Sequence, residues 1–236
     1  MKKRFFMMIL ALTLVLIMFA GSSSNANNNT PNAASDFNYT IGKDGVTINK
    51  YKGRSSNVII PDVIDGRPVI ELANEVFKGS SVTSVLIPNS VTSLGRDVFS
   101  SSKLISITIP DSVKSTGISL FSYCKSLKSV TLPNNTKRIA RYMFDGCSSL
   151  TSVTIPDSVP EIEEKTFRGC SSLKSITLPA SLKSIDNNAF ENCSSLTNVT
   201  IPASVKKIHN TAFKGCKSLT EETRQKIWEI NPKAVF

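Results

Sequence analysis

A period of 22 to 23 residues runs through most of the chain and restricts its fold more than any other feature. Prolines recur at Pro88, Pro110, Pro133, Pro156, Pro179 and Pro202. A phenylalanine follows each proline by eleven residues, at Phe99, Phe121, Phe144, Phe167, Phe190 and Phe213. Cysteines keep the same period at Cys124, Cys147, Cys170, Cys193 and Cys216. Self-similarity at this period is the signature of a repeat architecture.

Each repeat has the pattern of a short strand followed by a bend. Val153 and Ile155 alternate with polar neighbours, as in a strand with one buried face. Pro156 ends that strand, because proline has no N–H to give to a β-ladder. We expect a second short strand or bridge near residues 159–162, and then a single helical turn leading to Phe167.

One such coil buries too little apolar surface to offset the entropy of ordering its backbone. Stacked coils bury both of their faces and share backbone hydrogen bonds, so the repeats are stable only as an array. The sequence therefore predicts a repeat solenoid with a parallel sheet on one face. Its coils should lie ~4.8 Å apart, the ordinary spacing of neighbouring strands.

The repeat resembles the BspA-like (treponemal-type) class of bacterial leucine-rich repeats. The pattern that carries the resemblance is Leu-x-x-Val-Thr-Ile-Pro-x-Ser-Val-x-x-Ile followed by Ala-Phe-x-x-Cys, and the match covers about residues 37–236. Residues 58–77 look like the family's opening repeat, with a longer loop between Pro61 and Phe77. The resemblance implies a right-handed, mildly curved superhelix, export, and a role in adhesion or recognition. It does not fix a ligand.

Both ends of such a stack need caps, because a bare terminal coil exposes its apolar face. We assign residues 37–57 to an N-terminal capping hairpin, 58–219 to the repeats, and 220–236 to a C-terminal capping helix and tail. The hairpin should turn near Asp44 and Gly45. Thr220 is the expected N-cap of the helix, with Ile227 and Ile230 facing inward.

The first 26 residues have the three-part layout of a secretory signal peptide. Lys2, Lys3 and Arg4 precede an uncharged apolar stretch over residues 5–20, and small residues follow up to Ala26. The alternative is an uncleaved membrane anchor, but this stretch is shorter than the roughly 20 residues that a spanning helix needs. The composition of residues 27–36 predicts a flexible spacer. We therefore expect an extracellular or cell-surface protein that meets a membrane only if the signal is retained.

Candidate residues for chemistry are few. His209 is the one histidine, and no glycine-rich phosphate loop or metal-type cysteine pair occurs. We therefore expect no enzyme, no cofactor and no metal site. Ser80 and Ser102 occupy the repeat position of the cysteines, so we expect a buried column of free thiols there. Disulfides between adjacent coils are the alternative, because neighbours at strand spacing fall within the Cα range of a disulfide.

The outward positions of the long sheet are the best candidates for binding. These side chains are Ser106, Thr108, Lys128, Ser129, Thr131, Ser152, Thr154, Lys174, Ser175, Thr177 and Thr200. Leu86 and Ile105 take equivalent outward positions near the start of the array. A plain solvated strand face is the alternative, because threonine is a good strand former. Hydroxyl rows could also bind a glycan or ice, although the lack of exposed aromatics counts against a glycan and solenoid curvature counts against ice.

The formal net charge of +10 includes the three basic residues near the N-terminus. A moderately basic exported protein favours an acidic partner, although the same charge also serves solubility. A basic stripe, broken by Thr92 and Pro160, lies four residues after the prolines and is interpreted as a solvated flank: Lys114, Lys137, Lys183 and Lys206.

We expect a monomeric recognition protein that binds a protein or extracellular-matrix ligand through the sheet, and no nucleic acid. The alternative is a structural envelope component or spacer. About seven coils at strand spacing span only ~34 Å, which is short for a spacer.

Overall fold

The structure is a computed structural model that describes residues 30–236, and the predicted signal peptide lies outside the described residues. A 3-10 helix at Ala34–Asp36 precedes the strands, and the α-helix α1 covers Glu221–Ile230. The strands are β1 (Phe37–Ile41), β2 (Val46–Tyr51), β3 (Asn57–Ile59), β4 (Val63–Ile64), β5 (Arg67–Leu72), β6 (Ser84–Leu86), β7 (Ser93–Leu94), β8 (Ser106–Thr108), β9 (Ser115–Thr116), β10 (Ser129–Thr131), β11 (Ser152–Val153), β12 (Glu161–Ile162), β13 (Ser175–Thr177), β14 (Ser184–Ile185), β15 (Asn198–Thr200) and β16 (Lys207–Ile208).

The coils form a β-solenoid in which strands of neighbouring coils pair in parallel, as predicted. Ser129 lies opposite both Ser106 and Ser152, so β8, β10 and β11 share one register. β13 and β15 pair in the same way, and so do β3 and β6. We call the outer side of these strands the sheet face. Because equivalent residues of each repeat are paired, the sequence period fixes the register of the sheet.

A second row of short strands lies on another side of each coil, which we call the second face. It contains β7 and β9 near the start of the array and β12, β14 and β16 near its end. Ile139 joins this row through a single parallel bridge to Ile162. The second strand or bridge predicted near residues 159–162 is therefore confirmed at Glu161–Ile162.

A stack of phenylalanine rings runs through the solenoid. Centroids of successive rings are 5.1 to 5.6 Å apart from Phe77 to Phe213, and the ring planes differ by only 5 to 12°. Phe121, Phe144, Phe167 and Phe190 are fully buried within it. Offset stacking of this kind adds to the free energy gained by burying the rings. The stack begins one coil before the first of the six regularly spaced prolines.

Two consecutive tight turns surround each phenylalanine. The sequence predicted a single helical turn at this place. Around Phe167, the amide of Arg168 donates to the Lys165 carbonyl, and the amide of Cys170 donates to that of Phe167. Lys165 has a φ of 54° and Gly169 a φ of 71°, both in the left-handed region. A helical turn needs a negative φ at every residue, so it cannot form here. The same two positions have positive φ in most coils, which explains the glycines at 79, 146, 169 and 215.

The five cysteines are free and buried, which confirms the predicted thiol column. Each thiol bonds to the phenylalanine carbonyl of the preceding coil: Cys147 donates to Phe121 at 3.1 Å and Cys170 to Phe144 at 3.2 Å. In the first coil with a cysteine, the Cys124 Sγ also lies 3.4 Å from the Ser102 hydroxyl. A small side chain with one donor meets this geometry, so serine can take the same position.

A hairpin lies at the N-terminal end of the solenoid, and the predicted C-terminal helix lies at the other end. At the N-terminal end β1 and β2 form an antiparallel hairpin that turns through residues 42–45. Asn32 bonds to both the N–H and the carbonyl of Ile59, so the end of the predicted spacer is joined to β3. At the other end the Thr220 hydroxyl accepts from the Thr223 amide and caps α1. Ile227 is fully buried and Ile230 only partly, while the buried Thr223 contributes a third inward position.

Replacing Phe167 by alanine removes one ring from the centre of the stack. Truncation of a buried phenylalanine leaves a cavity and should lower the free energy of unfolding by ~3–5 kcal/mol. Urea unfolding followed by circular dichroism measures this loss. Tyr142→Ala is a suitable control, because this side chain is only partly buried in the same region and should cost less. Equal losses in both variants would contradict a central role for the stack.

The thiol column predicts the outcome of a simple titration. Unfolded, non-reduced protein should react with five equivalents of a thiol reagent, while the native protein should react slowly. Burial removes water that would stabilise a thiolate, which is the reactive form. A count of one or three thiols in the unfolded protein would instead establish disulfides.

Burial raises the pKa of the Cys124 thiol from 9.0 to about 11, and raises those of Cys147, Cys170 and Cys193 well above their ordinary value. Above about pH 9 the unfolded chain therefore loses protons that the folded protein keeps, so stability should fall as pH rises. The fall should continue as pH passes through the folded-state pKa values. Urea unfolding at a series of alkaline pH values measures the slope, and C147S/C170S should flatten it. An unchanged slope would show that the thiols do not contribute.

Candidate binding face of the solenoid

The structure brings the sequence-predicted site residues together on the sheet face, where each side chain is exposed. Strand alternation places them there, because Ile107, Val130 and Ile176 between them are only 4 to 5% exposed. The first strand positions carry Ser106, Ser129, Ser152 and Ser175, and the third positions carry Thr108, Thr131, Thr154, Thr177 and Thr200. Lys128 and Lys174 immediately precede β10 and β13. The face therefore consists of parallel columns of like side chains.

Within residues 30–236, the side chains of these predicted residues make no hydrogen bond or ion pair with another residue. The backbone carbonyls of Lys128 and Lys174 accept hydrogen bonds from the hydroxyls of Thr151 and Thr197, but the two ammonium groups stay free of such contacts. Their hydroxyl and ammonium groups are therefore available to a ligand. The surface beside the phenylalanine stack is different, because many of its charges are already paired.

Depressions in the sheet face lie where strand pairing is interrupted. Within the described part of the chain, β11 and β13 belong to different sheets, although they are neighbours in the stack. A shallow groove of about 550 Å³ follows this interruption and is lined by Ser152, Thr154, Ser175 and Thr177, among others. Its volume lies within the range of small-ligand sites, but the groove is open to solvent on one side. The sequence could not predict this groove, because it carries the same strand motif at β11 and at β13.

The first coils add an apolar area to this polar face. Leu86 and Ile105 are 57% and 46% exposed, and take the positions that Thr108 and Lys128 hold one coil later. A smaller groove of about 310 Å³ is lined by Leu86, Thr108 and Thr131. The sequence placed Leu86 and Ile105 on this face but gave no reason to include them in the site. Their exposure supplies that reason, because a partner can bury them.

Charge also differs across the sheet face. Lys128 and Lys174 lie at the edge where the strands begin, while Asp111 and Asp157 follow the prolines at the other edge. Asp157 lines the larger groove together with Ser152. The edge of the sheet face where the strands begin is therefore positively charged, and the opposite edge is negatively charged.

Paired charges occupy the side of the solenoid next to the phenylalanine stack. The residue after each phenylalanine alternates in sign over four coils, through Asp145, Arg168, Glu191 and Lys214. Arg168 donates two hydrogen bonds to the buried carboxylate of Asp145, at 2.7 and 2.6 Å. This pairing raises the pKa of the Arg168 guanidinium. The Lys214 Nζ lies 3.7 Å from a Glu191 carboxylate oxygen, so these charges also pair across adjacent coils.

Two residues on this side bear on the expected chemistry. Tyr123 is 48% exposed, whereas the sequence-based expectation concerned a lack of aromatic residues on the sheet face. Tyr123 lies beside Arg168 and not on the sheet face.

His209, the one histidine of the sequence, contacts other turn residues. The His209 Nδ1 lies 2.9 Å from the Thr211 hydroxyl, which donates to Asn188 of the preceding coil. This histidine therefore belongs to a network of turn residues.

Two classes of site have no candidate in residues 30–236. No group of three or more histidine, cysteine or acidic side chains is arranged to hold a metal ion there. The helices in this part of the chain are too short or too polar to cross a membrane.

Parallel strands, one phenylalanine per coil and end caps define a leucine-rich-repeat solenoid. The chain belongs to the family with BspA type leucine rich repeat regions, whose model matches residues 51–159 and 137–235. Proteins with this fold and from this family are typically non-enzymatic.

Several solved structures are similar to this chain. The leucine rich repeat protein of T. pallidum (TpLRR) is 30% identical with a TM-score of 0.81, over 88% of this chain and 100% of that one. A leucine-rich repeat protein from Bacteroides ovatus is 28% identical with a TM-score of 0.62, over 79% of this chain and 55% of that one. One from Eubacterium ventriosum is 27% identical with a TM-score of 0.65, over 80% and 52%. The chain thus spans about half the length of these last two proteins. A search of curated protein sequences returned no match.

Proposed function

We propose that this protein is exported and acts at the bacterial cell surface, or outside the cell, as a recognition protein. It binds a protein or extracellular-matrix ligand through the sheet face. The observation that carries the proposal is the set of aligned side chains, from Ser106 to Thr200, that are exposed and make no polar contact within the described residues. Export is supported by the signal-like N-terminal sequence and by membership of a bacterial leucine-rich-repeat family.

The chemistry of the face favours a partner with both acidic and apolar groups. Lys128 and Lys174 attract carboxylates, and the serine and threonine hydroxyls can donate or accept hydrogen bonds. Leu86 and Ile105 offer apolar area that becomes buried when a partner docks. The backbone of the face is held by the parallel ladders, so binding requires little ordering of the chain. A pre-organised surface loses less conformational entropy on binding.

One protomer presents the whole face, and we propose that the protein acts as a monomer. Nucleic acid is a poor fit, because Asp111 and Asp157 border the face on one side. A phosphate backbone that crosses the strands would meet these two carboxylates.

The face is tested by the combined change Lys128→Glu, Lys174→Glu and Thr154→Tyr. These side chains are exposed, so the melting temperature should barely change. The two charge reversals oppose an acidic partner and the tyrosine adds bulk beside the larger groove, so affinity should fall about tenfold or more. Binding of the variant and of the parent to immobilised extracellular-matrix proteins measures the loss. Added salt should also weaken binding of the parent.

The matched control is Lys183→Glu with Lys206→Glu, which reverses two exposed lysines on the second face. This variant should bind the matrix ligand about as well as the parent. If it loses binding while the sheet-face variant keeps it, the assignment to the sheet face is wrong.

A further inference from the structure

A gap interrupts the second face between the coil of β9 and the next coil. β7 pairs with β9, and β12 pairs with β14, which pairs with β16. Among residues 30–236, no pairing joins Ser115–Thr116 to residues 137–139, and Ile139 bridges only to Ile162 on its other side. A cleft of about 170 Å³ opens at this place. The two coils are therefore held together on the sheet face, where β8 pairs with β10, and by the stacked rings of Phe121 and Phe144.

Two threonines account for the gap. Thr116 takes the repeat position of the buried Ile162, and Thr136 takes that of the buried Val159. Both threonines are only partly buried and both line the cleft. A hydroxyl without a buried partner favours contact with water, so these coils do not close as the others do. The break in pairing thus coincides with the two positions at which threonine replaces a buried isoleucine and a buried valine.

Positive charge surrounds the cleft. Lys114, Lys137 and Arg138 line it, and Arg141 lies close by, since it contacts the same Glu163 carboxylate as Arg138. Lys114 donates to the backbone carbonyl of Asp111 at 2.8 Å, and it forms no ion pair with any residue of the described part of the chain. The pKa of Arg138 is raised by its hydrogen bond to Glu163 and by the charges of Glu163 and Glu161, so Glu161 also lies in this region. With Asp111, three carboxylates face the four cations, which outnumber them by one.

We propose that this cleft binds a sulfate group of an anionic polysaccharide that lies along the second face. The cleft is smaller than the usual 300–1,000 Å³ of small-molecule sites, so it suits one charged group of a larger ligand. Ser115, Thr116, Thr136 and Asn135 line it with groups that can bond to sugar hydroxyls and sulfate oxygens. The apolar residues of the lining, Val113 and Pro133, are buried. An acidic protein would therefore gain little apolar contact here.

The rest of the second face suits a linear polyanion. Lys183 and Lys206 repeat the position of Lys114 and Lys137 farther along the solenoid, and both are exposed. The coil of Pro160, which lies between the two pairs, lacks a cation at that position, and so does the earlier coil of Thr92. Lysine presents a point charge that binds sulfate and phosphate oxygens alike. The fork of Arg138 is already occupied by Glu163, so the lysines supply the free charges. The hydroxyl and amide groups that line the cleft favour a sulfated sugar over polyphosphate, which has no hydroxyl groups to bond to them.

Binding to heparin tests the proposal, with the full protein and its variants passed over immobilised heparin. Lys114→Gln with Lys137→Gln should lower the affinity about tenfold and flatten its salt dependence, because two contacts to the polyanion are lost. Lys128→Gln with Lys174→Gln on the sheet face removes the same charge and should leave heparin binding nearly unchanged. Desulfated heparin, polyphosphate and polyglutamate should all bind the parent more weakly than heparin does.

A second variant tests the cleft without altering charge. Thr116→Ile with Thr136→Val should let the coils close, raise the melting temperature and weaken heparin binding with every lysine retained. The proposal is overturned if the Lys114 and Lys137 variant binds heparin as the parent does. It is also overturned if the sheet-face variant loses as much affinity, or if polyphosphate or polyglutamate binds as tightly as heparin. Neither cleft variant should alter binding of a matrix protein to the sheet face, so the two sites can fail independently.

Discussion

Contact between adjacent coils is the constraint on which the rest of this structure depends. A single coil cannot offset the entropy of its own ordering, so its stability comes from the coil on either side. Three interactions cross each junction in the centre of the array. Strands share ladder hydrogen bonds, phenylalanine rings stack 5.1 to 5.6 Å apart, and each cysteine donates to the phenylalanine carbonyl of the coil before it. Together these contacts set both the distance and the register between neighbours.

The same register determines what the surface can present. Once Val130 and Ile107 are buried and paired, Ser129, Thr131 and their equivalents must form exposed columns. A binding surface therefore arises from the packing of the core and needs no loop of its own. Interruptions in the ladders give this regular surface its relief. On the sheet face they produce grooves lined by hydroxyls, and on the second face two threonines open a cleft among lysines.

Much of this was predictable from the sequence, because the repeat gives each position several independent examples. The phenylalanine stack, the thiol column, the parallel register and the exposed columns all follow from residue types that recur at one spacing. Features that depend on single residues were harder to predict. Lys165 and Tyr142 adopt positive φ without being glycine, so nothing indicated that a pair of turns replaces a helical turn. The interruption between β11 and β13 depends on small differences in coil packing that the repeated motif does not encode.

The alternating charges beside the phenylalanine stack have a consequence for how such an array can change its length. Asp145, Arg168, Glu191 and Lys214 belong to successive coils, and Arg168 bonds tightly to Asp145. Removing the one coil that carries Arg168 would bring the carboxylates of Asp145 and Glu191 together. Removing that coil with the next would place Asp145 beside Lys214 and keep opposite signs adjacent. In this half of the solenoid the coils are not interchangeable, and the unit that can be gained or lost without electrostatic conflict is a pair of repeats.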